Sequence, residues 1–191
     1  MSEPPPVTSS IVVFHKPKGV VVTRSDERGR KTVYDVLPAW ISAEGWIPVG
    51  RLDLDSRGLL LFVRDGRLMD RLSRPGSCIK TYEVTVRGHV TQEHVRAVLA
   101  GVVTPTGKLR AAGVEIRGRV GPKTRVVVRL DEGKNRHIRR MFGALSDCER
   151  KTPLKVLELK RVGFGELRLD IPSGAWRFAT TEECEALGCM A

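Results

Sequence analysis

KTYEVTVRGHVTQEHVRAVLAG, residues 80–101, carries two hydrophobic periods in succession. Tyr82, Val84 and Val86 alternate, which puts them on one face of a strand. Past Gly88 the period changes. Val95, Val98 and Leu99 recur at helical spacing, with Thr91 as N-cap and Gly101 as the C-terminal stop. His89 is expected on the loop before that helix and His94 on its surface. Downstream, KLRAAGVEIRG (108–118) and KTRVVVRL (123–130) read as strands. KNRHIRRMFGAL (134–145) reads as a helix, with Ile138, Met141, Phe142 and Leu145 forming its apolar stripe. KVLELKRVGFG (155–165) is a strand again. The order over 80–165 is β-α-β-β-α-β, a split βαβ lobe. Helices mixed with largely antiparallel strands predict an α+β fold with a mixed sheet rather than a doubly wound one.

Upstream, IVVF (11–14) and VVVT (20–23) read as strands joined by HKPKG. Residues 24–32, RSDERGRKT, read as loop. TVYDVLPAW starts a short helix capped by Thr32 and ended near Pro38. GLLLFVR (58–64) reads as a fully buried strand closed by an Asp65-Gly66 turn, and RLMDRLSRPG (67–76) as a helix. Residues 1–10 include three consecutive prolines and read as a disordered tail. One domain over 11–180 follows, with lobes of about 11–79 and 80–180, and residues 181–191 as a C-terminal tail.

The charge balance narrows the partners. Among 191 residues, Lys plus Arg number 33 and Asp plus Glu 22, a net charge of +11. Such an excess suits a polyanion, most simply nucleic acid. No apolar run is long enough to span a membrane, and the N-terminus lacks the pattern of a secretory signal. Cys78, Cys148, Cys184 and Cys189 show no paired zinc-type spacing, so reduced thiols and a cytoplasmic location are expected. The histidines form no metalloprotease or triad pattern, and no Gly-rich phosphate loop is present.

Two segments hold the candidate chemistry. In VGRLDLDSRGLLLF (49–62), Asp53 and Asp55 precede the buried run. Asp55-Ser56 suits local backbone capping. Asp53, between Leu52 and Leu54, has no such structural task. In the 134–145 helix, Arg136, Arg139 and Arg140 lie away from the apolar stripe, with Arg139 nearest its border. Lys134 and Asn135 lie at the N-terminus. No acid falls between Glu132 and Asp147, so this face suits phosphate. Aromatics are only 5% of the chain, so binding rests on phosphate contacts and shape rather than stacking. Tyr82, one of two tyrosines, reads equally as a core residue or a base contact.

GRLDLDSRGLLLF resembles the signature of the RsuA/RluB/RluE/RluF group of ribosomal RNA pseudouridine synthases. FHKPKGVVVT, RLSRPGSCIKTYEV, EGKNRHIRRMF and LKRVGFGELRLDIPSGAWRFAT resemble further segments of that group, in order, over roughly residues 11–180. The resemblance implies Asp53 as nucleophile, Arg139 as the cation that keeps it ionised, and Tyr82 as the residue against the uracil. It implies RNA contacts from Arg51, Lys80, Lys16, Lys18, Lys134, Asn135, Arg136 and Arg140. It implies a structured ribosomal RNA partner with a flipped-out uridine, a monomer, and no metal or organic cofactor. His137 stands where the group usually has Gln, and the 146–155 connection is longer than expected and could face RNA. Ten residues precede the first strand, so the group's usual S4 module is expected to be absent, which points to the large subunit pseudouridine synthase E type. The rival readings are a synthase for small-subunit ribosomal RNA or transfer RNA, and a non-catalytic RNA-binding ribosome-assembly protein.

Overall fold

In chain order the elements are β1 (Ile11–Lys16), a 3-10 turn (Val33–Asp35), α1 (Ala39–Ala43), β2 (Ile47–Pro48), β3 (Arg57–Val63), α2 (Gly66–Ser73), β4 (Lys80–Arg87), α3 (Gln92–Ala100), β5 (Val102–Thr104), β6 (Gly107–Leu109), β7 (Gly113–Val120), β8 (Lys123–Leu130), α4 (His137–Gly143), β9 (Lys155–Phe164), β10 (Leu167–Arg168), β11 (Trp176–Phe178) and α5 (Thr181–Ala186). The computed structural model describes residues 9–189, so most of the expected N-terminal tail, 1–8, lies outside the described residues. The chain forms two compact units. One comprises residues up to 78 together with 163 onward, and the other residues 79–162. The fold is α+β, as expected. The expected lobe boundary differs, because the chain after β9 returns to the first unit.

In the first unit β1 lies between β11 and β3. The register runs antiparallel from Ile11↔Val63 to Lys16↔Gly58. β2 joins β3 through Ile47↔Val63 and Pro48↔Phe62. Alternate residues of these strands enter two separate cores. Val13, Leu59, Leu61 and Val63 pack with Leu68 and Leu72 of α2 and with Cys184 and Leu187. Val12, Phe14, Leu60 and Phe62 pack with Val33, Trp40, Ile41 and Trp46. Burial on both faces explains why these strands are apolar throughout rather than alternating.

Four expectations for this unit need correction. Residues 20–23 form no strand, only an isolated Val21↔Thr32 bridge. Their apolar character reflects burial of Val20 and Val22 instead. Thr32 does open a turn, with its backbone N–H and hydroxyl donating to Asp35 Oδ2 at 2.7 and 2.9 Å. That turn is a single 3-10 piece, and α1 starts after Pro38 rather than ending there. Asp65 caps α2 by accepting from the Arg67 N–H at 2.8 Å, so Asp65-Gly66 is the start of the helix itself rather than a separate turn ahead of it. Residues 181–186 form α5, with Cys184 buried, where a tail was expected.

The second unit has sheet order β9-β4-β8-β7. β8 therefore separates β4 from β7, the split βαβ arrangement read from the sequence. β4 and β8 pair antiparallel, with Tyr82↔Val128 and Val84↔Val126. α3 and α4 bury Val95, Val98, Ile138, Met141 and Phe142. The single strand expected over 108–118 is two: Lys108 and Leu109 belong to β6, which pairs with the short β5, and β7 starts only at Gly113. Leu99 is 42% exposed, whereas His94 is 7% exposed. His94 lies one helical turn from Val98, and its ring is satisfied by the Thr91 N–H at 3.0 Å and the Ser146 carbonyl at 3.0 Å.

The long connection after α4 is ordered around Asp147. This buried carboxylate accepts from the backbone N–H groups of His89, Glu149 and Arg150 at 2.8, 2.9 and 3.1 Å. Those hydrogen bonds hold its carboxyl below the usual carboxylate range. The turn presses on Gly88, where an added Cβ would collide with Leu154 Cδ2 and approach Asp147 Oδ2 to 2.9 Å. Glycine is required there for close approach as well as for its φ of +113°.

Candidate active site

Asp53 opens a tight turn between Arg51 and β3, with the Ser56 N–H donating to its carbonyl at 3.0 Å. Leu52 is buried on one side and Leu54 is 39% exposed on the other. The HKPKG connection clasps this turn. The Gly19 N–H donates to the Leu54 carbonyl at 2.8 Å. Lys16 Nζ donates to the carbonyls of Pro17 at 2.8 Å and Ser56 at 2.9 Å. Lys16 is fully buried. Burial pulls its pKa down to about 8, opposed by the charges of Asp53 and Asp55. Lys16 is therefore not the phosphate contact expected from the sequence. It is a buried cation behind the Asp53 turn. Lys18 is exposed on the same connection.

Asp53 is half-buried and lines, with Arg51, a cavity of about 310 Å³. The opposite wall is the loop after β1, including Thr23, Asp26 and Arg30. This volume lies at the small end of ligand sites.

The other candidates lie in the second unit. Lys80 and Tyr82 occupy the inward face of β4 and are 7% and 8% exposed. Lys80 is thus a buried strand residue rather than a surface phosphate contact. In the basic segment, α4 begins only at His137, because Arg136 takes a left-handed φ of +47°. Lys134, Asn135 and Arg136 are exposed turn residues preceding the helix. Lys134 pairs with Glu132 at 2.9 Å. Arg139 is half-buried and donates through Nη1 to the Val156 carbonyl at 2.9 Å. Arg140 reaches the Asn135 carbonyl at 2.9 Å and Thr104 Oγ1 at 3.3 Å, which ties it to the β5–β6 hairpin. His137 is buried, with Nε2 against the Arg110 carbonyl at 3.0 Å, and burial lowers its pKa.

The structure thus joins Asp53 with Arg51 in one cavity and Lys16 behind them, and puts Lys80 beside Tyr82 on one strand face. Tyr82 and Arg139 belong to the other unit from Asp53. Asp26, Arg30 and Asp147 escaped the sequence reading. An Asp/Arg pair four residues apart in a Gly-containing loop was the available signal for the first two. Nothing local distinguishes Asp147 from a surface acid.

A family model for RNA pseudouridylate synthase matches residues 10–144. The chain belongs to that family. Ribosomal large subunit pseudouridine synthase B of Vibrio cholerae is 39% identical over 173 residues, covering 89% of this chain and 51% of that protein. The protein of the same name from Yersinia pestis is 34% identical over 169 residues, covering 87% of this chain and 51% of that one. The chain spans about half the length of the curated relatives it matches. A crystal structure of a pseudouridylate synthase superposes with a TM-score of 0.78 at 28% identity, covering 93% of this chain and 73% of that one. These curated relatives bear the B-type name, so the expected E-type branch gains no support from them.

Proposed function

We propose that this chain is an RNA pseudouridine synthase acting on ribosomal RNA, with large-subunit RNA as substrate and Asp53 as nucleophile. The observation that carries this reading is a half-buried aspartate at the wall of a cavity of about 310 Å³, in the GRLD segment of a member of this family. The large-subunit substrate rests on the names of the curated relatives.

The reaction breaks the C1′–N1 bond of uridine, turns the base, and rejoins it through C5. A carboxylate can serve by attacking C1′, by attacking the base, or by stabilising charge at C1′ while a glycal forms. Each route needs Asp53 ionised. Desolvation opposes that, and nearby cations favour it. Lys16 supplies one such charge from behind the turn. Arg139 is assigned as a second by the family resemblance, with Tyr82 against the uracil. The target uridine must leave its stack to reach a carboxylate in a cavity. Arg51, exposed at the same cavity, contacts the strand that carries it. Exposed Lys18, Lys134, Asn135 and Arg136 extend the phosphate contacts. The chain works as a monomer in the cytoplasm.

Mapping pseudouridine in ribosomal RNA from cells with and without this gene tests the assignment. Loss of a large-subunit site in the deleted strain, restored by the wild-type gene and not by Asp53→Asn, is the expected result. Loss confined to small-subunit or transfer RNA would move the substrate. Unchanged maps, with RNA binding retained, would favour a non-catalytic binding protein.

A further inference from the structure

The cavity beside Asp53 contains a second, pre-oriented cation. The loop after β1 closes on Asp26, whose Oδ2 accepts from the Arg30 backbone N–H at 2.8 Å. The same carboxylate accepts from Arg30 Nη2 at 2.6 Å and from Nε at 3.1 and 3.2 Å. Gly29 completes the turn with a φ of +67°, its N–H donating to the Asp26 carbonyl at 3.1 Å. Arg30 is therefore fixed by side chain and backbone together.

The pair is asymmetric. The Asp26 side chain is 7% exposed and that of Arg30 is 41% exposed. The anion faces the loop and the cation faces outward. The Arg30 contacts hold the Asp26 carboxyl at about 2, so both charges persist through the neutral range. Nε and Nη2 engage Asp26, and Nη1 makes no hydrogen bond among the described residues. A guanidinium presents five N–H donors in a planar fork, so a second edge is available to an anion.

Location gives this edge a use. Asp26 and Arg30 line the same cavity as Arg51 and Asp53. A single ion pair four residues apart, with its cation 41% exposed, adds little stability on its own. An arginine already held by a carboxylate loses less freedom when it grips an anion. Of the anions that the Asp53 reading brings to this cavity, the phosphodiester of the RNA strand matches a planar two-donor edge.

We infer that Arg30, braced by Asp26, binds a backbone phosphate of the RNA strand next to the nucleotide that Asp53 attacks. The inference rests on the Asp53 reading. Asp26 is a positioning residue, acting through Arg30.

The test uses the full chain, with a large-subunit ribosomal RNA transcript for turnover and a short single-stranded uridine-containing oligonucleotide for binding. Binding is measured across a salt series in an Asp53→Asn background. Arg30→Gln should make the log–log salt slope shallower by about 0.7, one single-strand phosphate contact. It should lower kcat/KM roughly tenfold, mostly through KM, as for loss of a charge-assisted hydrogen bond. Arg30→Lys should keep the slope and recover only part of the affinity, because the charge remains and the fork is lost. Asp26→Asn should weaken binding less than Arg30→Gln.

An unchanged salt slope in Arg30→Gln, whatever its melting temperature, would overturn the inference and leave the pair as a loop staple. If Arg30→Gln fails to fold, full recovery of affinity by Arg30→Lys would also overturn it, since a fork-specific contact cannot be replaced by a point charge. Active wild-type enzyme with an unaltered Arg30→Gln slope rejects this inference alone. An inactive wild type that still shows the slope difference rejects the synthase reading and supports the phosphate contact.

Discussion

Two turns in this molecule are held by buried charges of opposite sign. In the first unit, the Lys16 ammonium donates to the carbonyls of Pro17 and Ser56 and secures the Asp53 turn. In the second, the Asp147 carboxylate accepts from three backbone N–H groups and secures the connection after α4. Their energetics differ. The amides around Asp147 favour its charged form, so its pKa falls below the usual carboxylate range. At Lys16 desolvation outweighs the attraction of Asp53 and Asp55, so burial pulls the pKa down to about 8 and disfavours the charge. Asp147 is a satisfied structural group. Lys16 is hydrogen-bonded as well, but its charge is held against desolvation, beside the carboxylate that we assign to catalysis.

The sharpest probe of this contrast is Asp53→Asn. It should reduce pseudouridine formation by about 10³-fold or more, the scale of removing a group that acts on the reacting atoms. RNA binding should persist, because a negative charge leaves a cavity lined by arginines. Tritium release from C5-labelled uridine in RNA measures the first, and filter binding the second. Turnover near wild type would remove Asp53 from its assigned role.

Arg139→Met comes next. An activity loss of about 10²-fold is expected if Arg139 stabilises developing charge. Arg140→Met should lose far less, since Arg140 is engaged by Asn135 and Thr104. Equal losses in the two variants would overturn the assignment at this helix.

Lys16→Met should affect both activity and stability. It leaves the buried Ser56 carbonyl without its donor, at a cost of about 1–3 kcal/mol, and the half-buried Pro17 carbonyl as well. It also removes a cation from behind the Asp53 turn, so turnover should fall with stability. Because the folded chain releases the Lys16 proton more readily than the unfolded chain, wild-type stability should rise from about pH 8 toward 10.5 relative to this variant. Urea titrations at several pH values would show it, and a flat difference would argue against a buried ammonium.

Asp147→Asn should lower the melting temperature at neutral pH and leave catalysis intact. Its folded pKa is depressed, so its contribution is present above the unfolded carboxylate value and fades as pH falls through the folded one. The gap between variant and wild type should therefore close in acid. Asp55→Asn should change least, within a few-fold in rate, since Asp55 is exposed and its expected role is local support of the turn.

The sequence by itself determined the split βαβ order and the burial of β3. Hydrophobic period is a local property that survives folding. The tertiary structure alone decided which charges are buried. Lys16 and Lys18 stand two residues apart in one basic tetrapeptide, yet one is fully buried and the other exposed. The deciding partner of Lys16, the Ser56 carbonyl, lies 40 residues away. The same holds for His94, whose place in the core depends on the Ser146 carbonyl 52 residues on. Burial of a polar group is set by the distant acceptor that satisfies it, and such pairing leaves no periodic trace in the chain.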